Sequence, residues 1–563
     1  MAVELITASD IIKEKIELYL EDNTLQSGIF REAPRDRLPI LAVREDGSYV
    51  MLVRRLEIGN YMGEGRGAQE IKKHRVQLYA YDPYFTMSRI GSEYTVYKTE
   101  GFALRDGMKV SHVKVHPDMP YDRYCRIQEL VETELAEESL PDAPLYAYEA
   151  DLGYVAETFN RIDPQDVELA MDIMRRCTHV SESDREILHR HMNAQRVDQF
   201  DLLRSMMQEA DIPQIFADTQ LTIHTFTAMP WDEICVGDMF AYFDGEKVVL
   251  LSRTKLGKPF LKPVGEYNDF ATAAMALTGD GKVGIERKSL PVGRAKEIGV
   301  ERCCDAAAVL TLWRDRHAYQ FLPYYIINGI GNIYAMEQAV LFAKKKVESG
   351  EYATERDVDA QYEKMLEDFS ERHGLGSLEL KKYFVVLHAG PRTPFPALSS
   401  DYVLHANMKT LKIDSGATLF KNGILMSASD QCRCYNVAPE AQRVYDILAE
   451  NIRREVIPNI HGGMEGKEVY WNGLRPLAKQ EGEFRALGMI DPDFSLLEGY
   501  NRNIGHTIDK EESCSAAADK TDSRIFETNM IGCIEYQWPY HDYCIGVEDM
   551  FFIASEGAID FVY

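Results

Sequence analysis

The sequence predicts a chain of α/β and α+β domains, and three observations support this class. Its 563 residues exceed what one hydrophobic core accommodates, so roughly two to four domains are expected. Apolar residues make up 45% of the chain, as in folded globular proteins. Short apolar runs typical of strands alternate with longer amphipathic stretches typical of helices.

The first predicted elements form an N-terminal α/β module over residues 1–190. The stretch LPILAVREDGSYVMLVRR at 38–55 places a turn between two apolar runs, which is typical of a strand–turn–strand unit. A polar region and then an amphipathic helical stretch at 166–194 follow it.

A second α/β module is predicted over residues 191–315. The stretch MFAYFDGEKVVLLSR at 239–253 repeats the strand–turn–strand pattern, and an amphipathic stretch at 305–339 follows it. Two such units indicate a duplicated module. The alternative is that the likeness is accidental, because strand–turn–strand units are common in α/β proteins.

The pattern changes from residue 316, and a third domain is predicted over 316–563. Amphipathic spacing predicts helices at 332–348, at 354–373 with Thr354 as N-cap, and at 439–455. Apolar runs predict strands at 383–388, 410–414 and 417–420. Two further strands near the C-terminus, MIGCIEYQW and CIGVEDMFFIAS, each carry a glutamate in apolar surroundings.

Charge and cysteine content exclude several classes of function. The net charge of −27 argues against nucleic acid or an anionic membrane as a partner. The N-terminal stretch is acidic and amphipathic, unlike a signal peptide, and no apolar stretch is long enough to span a bilayer. The ten cysteines lack the spacing of a disulfide scaffold. We therefore expect a cytoplasmic protein.

Buried acids on several strands are the main chemical signal. Asp414 lies in the apolar stretch TLKIDSGATLF, where an unpaired carboxylate would cost several kcal/mol. Four similarly placed residues follow along the chain, and all five are predicted metal ligands: Asp414, Asp430, His506, Glu535 and Glu548. Four carboxylates carry the charge that two divalent cations neutralise. Oxygen ligands with one histidine suit Mn, Zn, Co or Fe.

These five residues, in this order, resemble the pita-bread metallopeptidases, a group that includes aminopeptidase P and prolidase and has creatinase as a metal-free relative. The motifs KIDSG and SDQCR match the two aspartate motifs of the group, and GHTI matches its central histidine motif. CIEY and GVEDM match its two closing glutamates. The resemblance covers roughly 316–563, and the earlier modules resemble the paired N-terminal domains of aminopeptidase P more weakly.

The resemblance implies a pita-bread catalytic domain preceded by two creatinase-N-like modules, in a homodimer. It further implies two metal ions that activate water for amide cleavage, with Glu535 as acid or base. A small molecule or a short peptide is the expected substrate.

The chain departs from the group where substrates are handled. The upstream histidine has no match in register, which leaves His388 and His405 as candidates to replace it. The second downstream histidine is also missing, and Glu512 is a candidate for its polar role. Tyr536 and Gln537 stand where the group has proline and glycine. These changes argue against ordinary Xaa-Pro specificity.

Cysteines surround the predicted site. Two of them, Cys432 and Cys533, stand where the group has small hydroxyl residues, and strand alternation predicts that both face the metal. The five near the site or its motifs are Cys432, Cys434, Cys514, Cys533 and Cys544. Core packing is the simpler interpretation of these thiols, and a further metal or redox-sensitive centre is the alternative.

Three functions fit the sequence. The first is a metal-dependent hydrolase of the aminopeptidase P type. The second is a non-peptidase of the same fold that breaks a C–N or C–S bond of a small molecule, as hydrolase or lyase. The third is a binding scaffold derived from a peptidase, and retention of all five ligands argues against it.

Overall fold

A computed structural model describes residues 40–43, 49–54, 77–82, 96–98, 113–115, 117, 121–128, 133–135, 140, 143–194, 196–394, 399–500, 502–510, 514–541 and 543–563. The chain forms two compact units. One comprises the described residues within 1–83, 93–161 and 197–313, and the other those within 84–92, 162–196 and 314–563. The predicted division into three domains remains a prediction, and residues 162–196 belong to the same unit as the C-terminal part.

The first unit contains thirteen strands among its described residues: β1 (Ile40–Val43), β2 (Tyr49–Arg54), β3 (Gln77–Asp82), β4 (Val96–Lys98), β5 (Val113–Val115), β6 (Thr133–Leu135), β7 (Leu145–Ala150), β8 (Ile215–Ala217), β9 (Met239–Phe243), β10 (Val248–Ser252), β11 (Leu261–Tyr267), β12 (Val283–Ile285) and β13 (Cys303–Asp305). One sheet has the order β1-β2-β3-β4, a larger one has the order β11-β7-β10-β9-β8-β12-β13, and β5 pairs with β6. The strands of both predicted units pair as expected, β1 with β2 and β9 with β10.

Fifteen α-helices lie in the described part of the chain: α1 (Tyr121–Gln128), α2 (Leu152–Asn160), α3 (Pro164–Cys177), α4 (Glu182–Met192), α5 (Gln199–Glu209), α6 (Gln220–Thr227), α7 (Phe270–Thr278), α8 (Val292–Ile298), α9 (Ala307–His317), α10 (Leu322–Ser349), α11 (Glu355–His373), α12 (Pro439–Asn451), α13 (Gly466–Ala478), α14 (Glu481–Ala486) and α15 (Leu496–Gly499). No described helix is both long and apolar enough to cross a membrane.

The second unit is built on an eight-stranded sheet. Its order is β14-β15-β17-β22-β21-β19, with β16 paired to β15 and β23 paired to β22, and β18 and β20 form a separate pair. The strands of this unit are β14 (Leu378–Ala389), β15 (Thr410–Lys421), β16 (Ile424–Ala428), β17 (Gln431–Asn436), β18 (Met464–Glu465), β19 (Gly505–Thr507), β20 (Ile525–Phe526), β21 (Ile531–Tyr540), β22 (Tyr543–Ala554) and β23 (Gly557–Asp560).

Helix α10 covers one face of this sheet. Asn328 donates to the carbonyl of Ala417 over 2.9 Å, and Asn332 donates to the carbonyl of Ser415 over 2.9 Å. Both asparagines are fully buried, so these hydrogen bonds fix the helix against the sheet at a defined register. The other face of β15 and its neighbours is left for the predicted ligands.

Most predicted elements of this unit are observed. Helix α11 begins where predicted, with Thr354 and Asp357 forming a capping box. The strands predicted at 410–414 and 417–420 form the single strand β15, because Gly416 continues the ladder without a turn. The helix predicted at 439–455 ends as an α-helix at Asn451 and continues as a wider helical turn over Ile452–Val456. The prediction of a mixed α/β and α+β chain is confirmed.

Candidate metal centre

Strand register places three predicted carboxylates on one face of the sheet. Asp414 on β15 lies opposite Cys432 on β17, which lies opposite Glu548 on β22. Glu548 in turn lies opposite Glu535 on β21. Directly opposed residues of antiparallel strands point to the same face, so these four side chains form one row across the sheet.

A second row lies one pleat away on the same face. His506 on β19 is opposite Cys533, which precedes Glu535 by two residues on β21. Asp430 precedes Cys432 by two residues and lies immediately before β17. Alternation along a strand returns every second side chain to the same face, so both rows face the same space.

Four side chains from these rows converge. One ligand atom from each of Asp430, His506, Cys533 and Glu548 lies within 4.8 Å of the others, and all four residues are buried. His506 Nε2 is 3.8 Å from Asp430 Oδ2 and 3.5 Å from Cys533 Sγ. We call this group the four-atom cluster. It contains three of the five predicted ligands, together with one of the predicted metal-facing thiols.

The imidazole of His506 is oriented by a contact on the side away from the cluster. Its Nδ1 lies 2.9 Å from the carbonyl oxygen of Thr507, and a proton on Nδ1 leaves Nε2 as the atom that faces the cluster. The hydroxyl of Thr507 donates to Asp315 over 2.5 Å. Burial, together with the charge of Asp509, raises the pKa of Asp315 to about 7.

Gly505, the residue before His506, allows β19 to pack closely against β21. Gly505 has φ +147°, and a Cβ there would lie 2.2 Å from the carbonyl oxygen of Cys533. Another residue would force the two strands apart. The glycine of the GHTI motif therefore sets the position of the histidine that follows it.

The thiol of Cys533 is strongly affected by its neighbours. Burial raises its pKa well above the ordinary value, and the negative charges of Glu548 and Asp430 raise it further. The thiol therefore keeps its proton in the absence of a cation. A divalent ion in the cluster would reverse this effect, because a coordinated thiol loses its proton.

Asp414, the acid in the middle of a predicted strand, is balanced by a lysine. Lys412 Nζ lies 3.9 Å from Asp414 Oδ2, and Gln537 Nε2 donates to the same oxygen over 2.9 Å. The ammonium of Lys412 also donates to Gln537 Oε1 over 2.7 Å. These three side chains interact with one another, and Asp414 is outside the four-atom cluster.

Glu535 also has a cation close to it. Its Oε2 lies 3.8 Å from the guanidinium of Arg502, and both side chains are mostly buried. Like Asp414, this glutamate is outside the four-atom cluster. Sequence analysis overlooked Arg502, and no pattern around it in the sequence points to this contact.

Lys412, which sequence analysis also overlooked, does have a sequence signal. It precedes Asp414 by two residues in TLKIDSG, so strand alternation alone places both side chains on the same face. A lysine two residues from a buried acid on one strand is a direct candidate for its counter-ion. The counter-ion of Asp414 is therefore the lysine two residues before it in the sequence.

The reverse face carries a second ionic group. Arg433 donates to Asp549 over 2.5 Å and to the carbonyl of Glu548 over 2.7 Å. Arg453 donates to the other oxygen of Asp549 over 2.7 Å. These bonds tie β17 to β22 behind the cluster, and so fix the strands that carry Asp430 and Glu548.

Of the two candidate histidines, His388 faces the site. On β14 it lies opposite Lys412, so it shares the face of the ligands. It is fully buried, and its Nδ1 lies 3.8 Å from Glu355 Oε2. Burial lowers the pKa of His388 despite the opposing charge of Glu355, so the imidazole is neutral at pH 7.

The other candidates are placed elsewhere or fall outside the described residues. His405 is exposed; its Nδ1 accepts from the amide of Asn407, and its Nε2 lies 3.1 Å from the hydroxyl of Tyr402. Glu512 lies outside the described residues. All ten cysteines are free thiols in this structure.

Comparisons with known proteins give similar folds. No protein-family model matches the sequence, and no curated protein matches it either. The prolidase from Pyrococcus furiosus is 19% identical, with a TM-score of 0.44, and the match covers 64% of this chain and 99% of that one. X-Pro aminopeptidase from Thermotoga maritima MSB8 is 14% identical, with a TM-score of 0.45, and the match covers 65% and 97%.

A protein with a different kind of name is also similar. The N-terminal domain of FACT complex subunit SPT16 from Cicer arietinum is 10% identical, with a TM-score of 0.48, and the match covers 67% of this chain and 96% of that domain. At these identities the likeness concerns the fold alone. One fold carries many activities, so the function of this chain is argued from its own site.

Proposed function

We propose that this protein is a metal-dependent hydrolase that cleaves an amide-like bond in a small substrate. The observation that carries the proposal is the four-atom cluster, in which Asp430, His506, Cys533 and Glu548 converge from separate strands. Two carboxylates that are buried together repel by about 4 kcal/mol at 4 Å and an effective dielectric of ~20. A site built this way is expected to hold a cation.

The donors fit a transition metal. Bond lengths of about 2.0 to 2.3 Å in a tetrahedral shell place neighbouring donors about 3.3 to 3.8 Å apart. The 3.5 Å between His506 Nε2 and Cys533 Sγ lies in this range, and the 3.8 Å between His506 Nε2 and Asp430 Oδ2 is slightly wider than a nitrogen and an oxygen ligand of one ion require. A thiol and an imidazole among the donors favour Zn, Co or Fe over Mg or Ca. When bound, such an ion polarises a carbonyl group and acidifies water.

Glu535 is the proposed acid or base. It lies opposite Glu548 in the sheet but outside the four-atom cluster, so its carboxylate remains available to accept and return a proton. Arg502 balances its charge at 3.8 Å. The resemblance stated from the motifs gives the same role to this glutamate.

We propose a small substrate because Tyr536 and Gln537, which stand where the group has proline and glycine, are both hydrogen-bonded within the protein. Gln537 bonds to both Lys412 and Asp414. Tyr536 points to the opposite face, where its hydroxyl donates to Asn451 over 2.7 Å. Neither residue extends a groove for a peptide chain.

A lyase that breaks a C–N or C–S bond is the second candidate. It is favoured by His388, a neutral buried imidazole on the site face with Glu355 at 3.8 Å, which is an arrangement suited to proton abstraction. Elimination needs a base for a carbon-bound proton of the substrate, whereas the hydrolysis proposed above uses Glu535 as its acid or base and gives His388 no role.

Reaction panels separate these candidates. Metal-depleted protein and protein reloaded with Zn, Co, Mn or Fe should be incubated with Xaa-Pro dipeptides, ordinary dipeptides and small amides. We expect release of free amine only from reloaded protein, and its loss in Glu535→Gln. The matched control is Glu483→Gln, an exposed acid paired with Arg443 that should retain activity.

Other outcomes overturn the proposal. Unsaturated products from small amino compounds, formed without hydrolysis, would favour the lyase. Inertness of the metal-loaded protein towards every substrate would favour the binding scaffold.

A further inference from the structure

The Asp414 end of the site differs from what two metal ions require. An ion bound by Asp414 would lie about 2 Å from a carboxylate oxygen. Around Oδ2 the space is taken by Gln537 Nε2 at 2.9 Å and Lys412 Nζ at 3.9 Å. These groups carry hydrogen on the side that faces the oxygen, so they compete with a cation for it.

Lys412 is built into this position. Its side chain is only 6% exposed, and its ammonium donates to Gln537 Oε1 over 2.7 Å. It reaches that atom by passing over Gly546 on β22. A Cβ at residue 546 would lie 2.9 Å from Lys412 Cδ and 2.5 Å from Cys432 Sγ. Since such contacts are too short for real atoms, the glycine is what makes room for the lysine.

The lysine keeps its charge in this environment. Lys412 Nζ lies 3.9 Å from Asp414 Oδ2 and donates to Gln537 Oε1 over 2.7 Å, so the positively charged form of the side chain faces two acceptor oxygens. The group beside Asp414 is therefore an ammonium at physiological pH. A divalent ion placed there as well would be repelled by it.

The remaining carboxylates are divided in the same way. Glu535 has Arg502 at 3.8 Å, while Asp430 and Glu548 share the four-atom cluster. The two carboxylates, with the thiolate that Cys533 becomes on coordination, supply enough negative charge for one divalent ion. The two outside it each face a basic side chain of the protein itself.

We propose that this protein binds one divalent ion, at Asp430, His506, Cys533 and Glu548, and that the ammonium of Lys412 takes the place of a second ion beside Asp414. The inference rests on the proposed metal-dependent function for the first ion only. It departs from the two ions predicted from the five acidic and imidazole ligands of the sequence.

Metal binding by the wild-type protein is the primary test. Protein stripped by a chelator should be dialysed to equilibrium against excess Co²⁺, and its cobalt content measured by elemental analysis. We expect one equivalent per chain. Two equivalents would overturn the inference, as would less than a tenth of an equivalent.

Lys412→Met tests what excludes the second ion. Without the ammonium, Asp414 is available to a cation, so we expect the cobalt content to rise from one equivalent to two. Lys381→Met, which removes a half-exposed lysine paired with Glu379, should stay at one. One equivalent in Lys412→Met would contradict the inference. If that variant does not fold, Lys412→Arg keeps the charge and should remain at one equivalent, and two would contradict it.

Cys533→Ser tests the fourth ligand. The Co²⁺ protein should show a thiolate-to-metal charge-transfer band that disappears in Cys533→Ser. Cys544→Ser removes another buried thiol near the site and should keep the band. A band that survives in Cys533→Ser would exclude this ligand.

These measurements do not depend on turnover. One bound ion with the thiolate band but no hydrolysis would retain the inference and reject the proposed reaction. Two bound ions together with hydrolysis would reject the inference and retain the proposed reaction.

Discussion

The two ends of one sheet face show how a fold can compensate buried acids in different ways. At one end, Asp430 and Glu548 converge with His506 and Cys533. At the other end, Asp414 faces Lys412 and Gln537. At both ends, strand alternation directs acids from apolar stretches of sequence to the same face of the sheet. What separates them is the side chain beside the acids: the first end has the imidazole of His506 and the thiol of Cys533, and the second has the ammonium of Lys412.

The largest expected effect is at the first end. His506→Ala removes the imidazole donor, so we expect loss of the bound ion and a fall in metal-dependent turnover of about 100-fold or more, since the ion supplies several kcal/mol of stabilisation to the transition state. Elemental analysis and initial rates measure both. His405→Ala, which changes an exposed histidine, is the control and should match the wild type. An unchanged rate in His506→Ala would show that the four-atom cluster is not the site of turnover.

The second end is tested in the metal-free protein. Lys412→Met leaves Asp414 without its ammonium, and breaking a mostly buried ion pair costs about 3 kcal/mol of the free energy of unfolding. Denaturant titration measures this loss. Lys381→Met should change stability by less than about 0.5 kcal/mol.

A double variant sharpens this test. Adding Asp414→Asn to Lys412→Met removes both charges and should recover part of the lost stability. No recovery would mean that the lysine acts through packing alone, and that the two ends do not differ in the way described.

The room that Gly546 leaves for the lysine gives a smaller effect. Gly546→Ala forces Cys432 and Lys412 to move, and overpacking of this kind costs about 1–3 kcal/mol. Gly482→Ala is the matched control, because a Cβ there meets nothing within 4 Å and glycine is unfavourable in its helix. A neutral Gly546→Ala would show that Lys412 has other ways to reach Gln537.

A buried lysine elsewhere in the same unit provides a contrast. Burial lowers the pKa of Lys510 to about 7 despite the charge of Asp509, and its ammonium lies 3.9 Å from the ring centroid of Phe321. Above pH 7 the folded chain has released this proton, while the unfolded chain holds it up to about pH 10.4. Unfolding therefore binds a proton, and rising pH stabilises the fold.

The resulting pH effect is the smallest predicted. The stability of the wild type relative to Lys510→Met should increase by about 1 kcal/mol per pH unit between about pH 8 and 10. The stability of the wild type relative to Lys412→Met should not increase over this range, because the pKa of Lys412 is raised instead. Parallel pH dependence of the two variants would show that the two lysines are in equivalent surroundings.

Strand alternation explains how much of the site could be predicted from sequence. Cys533 was expected to face the metal because it lies two residues from Glu535, and the structure places it in the four-atom cluster. The same rule applied to Lys412 and Asp414 would have identified the counter-ion. The contact between Lys412 and Asp414 could therefore have been predicted from the local sequence.

Other features depend on contacts that no local pattern encodes. Gly546 lies beneath Lys412 only because β17 brings β22 to β15 in this register. Arg502 approaches Glu535 from an irregular segment ahead of β19. The helices of 162–196 pack with the C-terminal unit, although the sequence pattern assigns them to the first module. Each of these results from tertiary packing.

Anomalous diffraction from crystals grown with Co²⁺ is the most direct test of the central claim. We predict one cobalt peak per chain, within bonding distance of His506 Nε2 and of carboxylates from Asp430 and Glu548, with Lys412 still beside Asp414. Two peaks, with the second on Asp414, or no peak at His506, would contradict it.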